Sequence, residues 1–550
     1  MTSRSTPDII ELDTEQTEAL LCRIEAGQLS QEDLETLRAA LQSYLYVTQL
    51  IDQKSTTIAR LRKLLFGAET EKTAVVTGRA AESTSPGSPE AGGGGVASAA
   101  TKTREKPKGH GRNGAEDHPG AKRVVVSHEA LKVGDPCPSC DRGTLYGQPQ
   151  RGIALRFTGQ SPLQVTIYEL EKLRCGLCGE VFTAHLPEAA GLDKYDPTVA
   201  GMIAVLKYGN GLPFNRLAGL QENLGMPLPS STQWDIVAEA SSLIQPAYDE
   251  LIRQAAQGHV LHNDDTTVKI LELMGERAKA AAASTEDASG EPDRTGLFTT
   301  GVVATSEGRR IAVFFSGRQH AGENLRNVLL RRATDLPPPI QMCDALSRNR
   351  PPELETILAN CLAHARRQFV DVNEHFPTEC RHVLESLQVV YHNDQLARQQ
   401  QMTAEERLQF HQQASGPTMA RLREWLKRQS EQKLVEPNSG LGTAINYLRK
   451  HWEKLTLFLR VAGAPLDNNI CERALKKAIL HRKNALFFKT KHGAAVGDLY
   501  LSLIHTCELN GGNPFEYLTA LQRHAAAVAA APREWMPWNY RERLECLAAG

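Results

Sequence analysis

Three carboxylates stand where they could do chemistry. Asp264 closes the run His259-Val260-Leu261-His262-Asn263-Asp264, and Asp344 closes Pro339-Ile340-Gln341-Met342-Cys343-Asp344. Glu472 lies in Leu466-Asp467-Asn468-Asn469-Ile470-Cys471-Glu472-Arg473, which reads as a helix opening. Two strand-end aspartates and a helical glutamate suit a two-metal phosphoryl-transfer site. Hard divalent cations want oxygen ligands, and paired ions stabilise both the attacking and the leaving oxygen. Any one of the three alone reads more readily as a helix cap or an exposed charge. Only their joint context favours a site. Asp265 ranks second, because strand alternation turns it to the face opposite Asp264.

A second ligand set is made of cysteines. Cys137-Pro138-Ser139-Cys140 and Cys175-Gly176-Leu177-Cys178 are two C-x-x-C knuckles, with Gly176 and Gly179 easing the second turn. Four thiolates fill a tetrahedral Zn²⁺ site and leave no position open, so the metal would be structural. The alternatives are four unconnected thiols, or a redox C-x-x-C that leaves the second pair unexplained.

Basic residues follow both later carboxylates. Cys361-Leu362-Ala363-His364-Ala365-Arg366-Arg367-Gln368 reads as a helix on which His364, Arg366 and Arg367 could meet phosphate oxygens. A solvated basic face is the other possibility. Beyond Glu472, the residues Lys476, Lys477, His481, Arg482, Lys483, Lys489, Lys491 and His492 run without an acidic residue among them. A polyanion could track that stretch past the carboxylates. Phe487 and Phe488 read as core rather than as base-stacking groups.

These groups need a scaffold. At 550 residues the chain exceeds one ordinary core, so several domains are expected. The net charge of −1 excludes a global nucleic-acid footprint and confines any such surface to a patch. No stretch approaches the roughly 20 apolar residues of a membrane span. The opening residues lack the apolar core of a secretory signal. Eleven cysteines spread over the chain are not a disulfide framework, and a reducing cytoplasm is the simplest setting.

The expected fold class is multidomain α+β. Residues 1–77 form a helical, coiled-coil region. Leu37, Tyr44, Ile51, Ile58 and Leu65 recur every seven positions, while Leu34, Leu41, Thr48, Ser55 and Arg62 turn polar halfway. The alternative is an amphipathic helix packed on its own domain. Residues 78–120 are a flexible linker with a basic end, from Lys102 to Arg112, that reads either as a DNA-grazing segment or as a solvated tail. Residues 121–188 carry short strands around the four cysteines. Residues 189–255 are helical, and Ser231-Thr232 after the turn at Leu224–Ser230 suits a helix-turn-helix, although many bundles share that punctuation. Strands are expected at 258–264, 297–304, 309–316 and 339–343, and a helix at 320–332. A low-complexity insertion, Ala278 to Asp293, interrupts the first hairpin. Residues 351–462 read as long helices, 466–523 as helical, and 501–550 as a helical region ending in an Ala-rich tail.

Several of these segments together resemble the insertion-sequence-66 transposases. They are Leu64 to Lys72, the four-cysteine ribbon, Asp264-Asp265-Thr266-Thr267-Val268-Lys269, Cys361 to Arg367, Asp467 to Arg473, Arg482-Lys483-Asn484, and Ser502 to Gly511 with Pro514 to Leu518. The resemblance spans about residues 30 to 540 in the expected order. It departs at Asp265, where the family often has Glu, at Leu362, where Trp is usual, at His481, where Gly is usual, and at the 278–293 insertion. None of these removes a metal ligand.

The resemblance implies a bacterial cut-and-join enzyme whose ribonuclease-H-like core occupies 256–350 plus 463–500, with 351–462 inserted in it. Asp264, Asp344 and Glu472 are then a DDE triad holding Mg²⁺ or Mn²⁺. His364, Arg366, Arg367, Lys476, Arg482 and Lys483 are implied DNA contacts. The implied partners are double-stranded DNA, as terminal inverted repeats and target, and a second subunit joined through the coiled coil in a homodimer or higher oligomer. The implied location is cytoplasmic and nucleoid-associated. Two other readings stay open: a transposase-derived DNA-binding regulator that no longer cuts, and a ribonuclease-H-like junction or repair nuclease that cuts without joining.

Overall fold

The computed structural model describes residues 193–275, 296–306 and 308–549, with 160–174, 181–187 and shorter pieces between 23 and 146. The four cysteines of the ribbon, the 278–293 insertion, the 78–120 linker and most of the heptad positions lie outside the described residues. Of the heptad set, Leu34 and Leu37 lie on the helical stretch 33–39, with Leu34 exposed. The chain forms two compact units.

The smaller unit holds Pro86–Pro187 and Ala218–Leu228. In it β1 (Lys172–Arg174) pairs antiparallel with β2 (Val181–Thr183), so the described residues on either side of the second knuckle form a ladder. Pro136 likewise bridges Thr144 across the first. Short strands around both knuckles were expected from the alternation. Gln221 is buried, and its amide donates to the carbonyl of Leu163 at 3.1 Å.

The larger unit is built on a five-stranded sheet. Its strands are β3 (Val260–Thr267), β4 (Phe298–Ser306), β5 (Arg309–Gly317), β6 (Ile340–Cys343) and β7 (Ile357–Asn360), in the order β5-β4-β3-β6-β7. The pairs β3–β4 and β4–β5 are antiparallel, whereas β3–β6 and β6–β7 are parallel. Strands β4 and β5 are nearly continuously apolar. Val302, Val303, Ala304, Ala312, Val313 and Phe314 are all buried, as a sheet covered on both faces requires.

The helices are α1 (Pro197–Ala204), α2 (Phe214–Asn223), α3 (Ser230–Ala255), α4 (Ala321–Leu329), α5 (Leu362–Val372), α6 (Pro377–Gln399), α7 (Ala404–Ala414), α8 (Gly416–Glu431), α9 (Gly440–Lys450), α10 (Asn469–Ala485) and α11 (Lys491–Leu509), of which α3, α4, α10 and α11 pack on the sheet. They are followed by α12 (Pro514–Arg523), α13 (Ala525–Ala530) and α14 (Tyr540–Ala549). Three local findings differ from the sequence-based expectation. First, β7 lies inside the stretch expected to be all helix. It is only four residues long, too short to show a period.

Second, α3 does not stand apart as a recognition helix. It buries Ile236, Val237, Ile244 and Leu251, packs on β5 and α11, and donates from Tyr248 Oη to the Phe314 carbonyl at 3.1 Å. Its N-terminal flank is Pro229, with no side-chain cap. Third, a boundary at residue 500 cuts through α11, which belongs to the sheet. Asp498, Ser502, Thr506 and Asn510 recur every four residues along it and bond the backbone of β5 at Ser316, Phe314, Ala312 and Arg310. That polar stripe occupies groups an edge strand would otherwise offer to another chain. The C-terminal stretch is also no loose tail, since Trp535 and Met536 are fully buried.

The helices α5 to α9 pack around Phe369, Leu384, Leu387, Leu422, Leu426 and Leu448, and this core runs on into Ile340, Met342 and Ala359 of the sheet. Each such buried side chain contributes about 1.5–3 kcal/mol. Thr403 and Glu406 form a capping box that starts α7, and Ser439 caps α9. The insertion therefore extends the β6–β7 edge rather than hanging from it.

Candidate active site

The parallel register of β3 and β6 sets Val260 beside Ile340, Leu261 beside Gln341 and His262 beside Met342. Continued two residues, it brings Asp264 level with Asp344 on the neighbouring central strands β3 and β6, the adjacency the two apolar runs predicted. Alternation decides which way Asp264 faces. Asp264 pairs with Gly301 of β4. A Cβ at Gly301 would lie 3.1 Å from Leu475 and 3.6 Å from Cys471, both on α10. Asp264 thus shares the face covered by α10, the helix that carries Glu472.

Asp265 has the other face and a different environment. Its side chain is 2 % exposed and accepts from Arg348 Nη2 at 3.3 Å, with His320 Nδ1 at 3.2 Å. It anchors the start of α4 and the turn after β6.

Asp344 is aimed by its own turn. One carboxylate oxygen, Oδ1, accepts from the Leu346 N–H at 3.2 Å and from the Asn349 side-chain amide. Asn349 is fully buried, and its carbonyl accepts from Asn263 Nδ2 at 2.8 Å and Gln341 Nε2 at 2.7 Å. This network ties the Asp344 turn to β3 and β6. The sequence did not mark Asn349, because nothing local distinguishes a buried asparagine from an exposed one.

Glu472 is positioned by both ends of α10. At the start, Asn468 is fully buried, donates from Nδ2 to the Asn263 carbonyl at 3.1 Å and meets His262 Nδ1 through Oδ1 at 3.1 Å. The Asn468 N–H donates to Cys361 Sγ at 3.2 Å. In the middle, Cys471 Sγ donates to the Gly301 carbonyl at 3.3 Å. At the far end, Arg482 Nη1 donates to Thr266 Oγ1 at 3.2 Å and Thr267 Oγ1 at 2.6 Å. The helix is pinned across β3 along its length. Asn468 is a positioning residue the sequence hid inside a helix opening.

The carboxylates repel one another. Burial, reinforced by the negative charges of Asp344, Asp265 and Glu472, pushes the Asp264 carboxyl up to about 7, against one hydrogen bond from the Asp265 N–H. Neither Asp264 nor Asp344 forms an ion pair with a described cation. Glu472 Oε1 is shut off from solvent with no hydrogen-bond partner, 3.7 Å from His364 Nδ1. Clustered oxygen donors with uncompensated charge fit a hard divalent cation. Cys361 lies beside them, its thiol pushed up to about 12 by burial.

The other expected contacts scatter. His364 joins the carboxylates, while Arg366 donates to Thr73 at 3.2 Å and Arg367 is half-buried on α5. Lys476 and Lys483 are exposed on α10. The basic run is less cationic than its composition. Lys477 pairs with Glu508 at 2.8 Å, and Arg482 bonds the end of β3. His481 is buried between Tyr208 and Phe488, where burial lowers it to about 3 and keeps it neutral. Phe488 packs with Ile270, Leu297 and Ala494 as core, whereas Phe487 is exposed.

Comparison with known proteins places the chain. It is 26% identical over 390 residues to the uncharacterized protein y4hP of Sinorhizobium fredii (strain NBRC 101917 / NGR234), covering 68% of this chain and 67% of that one. From the same organism, y4jD is 27% identical over 62% of this chain and 66% of its own length, and y4qI 28% over 67% and 66%. The matches thus span about two thirds of each relative. The pattern described as "Transposase IS66 family" matches residues 194–496, which take in the sheet, the insertion and all three carboxylates. This chain belongs to the IS66 family of transposases.

Proposed function

We propose that this chain cuts DNA at the ends of an insertion sequence and joins the freed 3′-hydroxyl to target DNA, on a ribonuclease-H-like core. The observation that carries this reading is the convergence of Asp264, Asp344 and Glu472 on the α10 face of the sheet, with Asp264 raised to about 7 and no ion pair to a basic side chain among the described residues. The strand order, three antiparallel strands followed by two parallel ones, supports the assignment of the core.

Asp264, Asp344 and Glu472 would hold a pair of Mg²⁺ or Mn²⁺ ions. When bound, such ions activate an oxygen nucleophile at neutral pH and stabilise the attacking and leaving oxygens of an in-line displacement. The chain's own residues do the rest. Asn349 fixes the Asp344 carboxylate, and Asn468 fixes the helix that presents Glu472. Lys476 and Lys483, exposed on the same helix, would hold phosphates of the strand being cut. On the insertion side, Arg350, Lys450 and Lys454 crowd His451, whose imidazolium is disfavoured first by burial and then by their charges. A cationic group of this kind suits a second stretch of DNA backbone. The four cysteines would hold structural Zn²⁺, and the N-terminal heptads would pair subunits.

The test is a duplex bearing the element's inverted repeats, incubated with the protein and Mg²⁺ or EDTA. Metal-dependent 3′-hydroxyl ends that reappear joined to target DNA support the proposal. Tight binding with no nicking would instead favour a regulator.

A further inference from the structure

Glu472 has a second set of neighbours, of a different chemical character. Cys361 follows β7 at the N-cap position of α5, and His364 comes one turn later. The Cys361 sulfur, a ring nitrogen of His364 and a carboxylate oxygen of Glu472 lie within 4.8 Å of one another. His364 Nδ1 and Glu472 Oε1 are both closed to solvent and both lack a hydrogen-bond partner. An unsatisfied buried polar atom costs about 1–3 kcal/mol, so two facing each other mark a place where something else would bind.

The sulfur is prepared for the same role. The backbone N–H of Asn468 donates to Cys361 Sγ at 3.2 Å. Such N–H···S bonds orient a metal-bound thiolate and favour its charge. Thiolate, imidazole and carboxylate form a donor set for a borderline-soft transition ion and a poor one for Mg²⁺. Three protein ligands also leave a fourth position open.

We infer that Cys361, His364 and Glu472 form a transition-metal site, with Zn²⁺ as its fitting occupant, that shares Glu472 with Asp264 and Asp344. Binding displaces the Cys361 proton to solvent as the sulfur–metal bond forms. On the transposase reading, which this consequence rests on, a Zn²⁺ there withdraws Glu472 from the carboxylate set and holds the enzyme inactive.

The experiment counts Zn²⁺ retained by the full chain after gel filtration, by atomic emission, in wild type, Cys361→Ser and His364→Gln. Any zinc held by the four-cysteine motif cancels in the comparison. Wild type is expected to retain one equivalent more than Cys361→Ser. His364→Gln, at a partly exposed position, should hold that equivalent at least tenfold more weakly. The same variants loaded with Co²⁺ should lose thiolate-to-cobalt absorption in proportion. Equal zinc counts in all three folded proteins overturn the site, whatever the outcome on DNA. A wild type that retains the extra zinc, beside a folded Cys361→Ser that lacks it and still cuts no DNA with Mg²⁺, refutes the transposase reading and leaves the site standing.

Discussion

Asp264 and Asp265 are consecutive residues of one strand, and the two faces of the sheet treat them oppositely. On the α4 face, Asp265 is sealed in with Arg348 and His320, so its charge is answered within the protein. On the α10 face, Asp264 meets Asp344 and Glu472, and its charge is answered by nothing described. A carboxylate with a protein counter-ion stabilises the fold. One surrounded by carboxylates destabilises it until a cation arrives. The difference separates a structural residue from a candidate ligand more sharply than residue type does.

That contrast can be broken in several ways. The largest effect is expected on the α10 face: Asp344→Asn or Glu472→Gln should lower Mg²⁺-dependent strand cleavage on the order of 10³-fold, because the lost transition-state stabilisation is several kcal/mol. Both should stay folded by circular dichroism. Next comes the positioning residue. Asn468→Ala removes contacts to β3 in a buried setting and should destabilise the protein by about 1–3 kcal/mol in urea melts. It should also lower cleavage while leaving DNA binding intact.

The pH dependence follows from the raised carboxyls. Asp264 has a folded value of about 7 against an unfolded value of 3.8. The native state therefore binds more protons in between, and the metal-free protein should lose stability as pH rises from 4 to 7. Asp498, which burial also raises to about 7, adds a contribution of the same sign. Asp264→Asn should accordingly remove only part of the slope, on the order of 1–3 kcal/mol. Added Mg²⁺ should flatten the wild-type profile but not that of the variant. A smaller effect belongs to the α4 face: Asp265→Asn should cost about 1 kcal/mol, since Arg348 is 45 % exposed and solvent screens its share. Smallest is Lys483→Ala, which should weaken DNA binding across all sequences and lessen its salt dependence by about one unit.

Much of this site is legible in sequence because strand ends and alternation are local properties. The four strands read at 258–264, 297–304, 309–316 and 339–343 are present within a few residues, and the face of Asp265 follows from period two. Strand order, the buried bond between Asn349 and Asn263 and those of Asn468 depend on partners tens to hundreds of residues away, which no local pattern encodes. The basic run after Glu472 misleads for a related reason. A residue's formal charge is visible in sequence, but the stacking that neutralises His481 and the carboxylate that pairs Lys477 are not.

The central claim is that the α10 face, and not the α4 face, holds the ions that cut DNA. It is tested most directly by cleavage of inverted-repeat DNA over a Mg²⁺ titration with wild type, Asp264→Asn and Asp265→Asn side by side. Wild type and Asp265→Asn should nick with similar Mg²⁺ dependence, and Asp264→Asn should not nick at any concentration. Equal activity of Asp264→Asn and wild type would contradict the account.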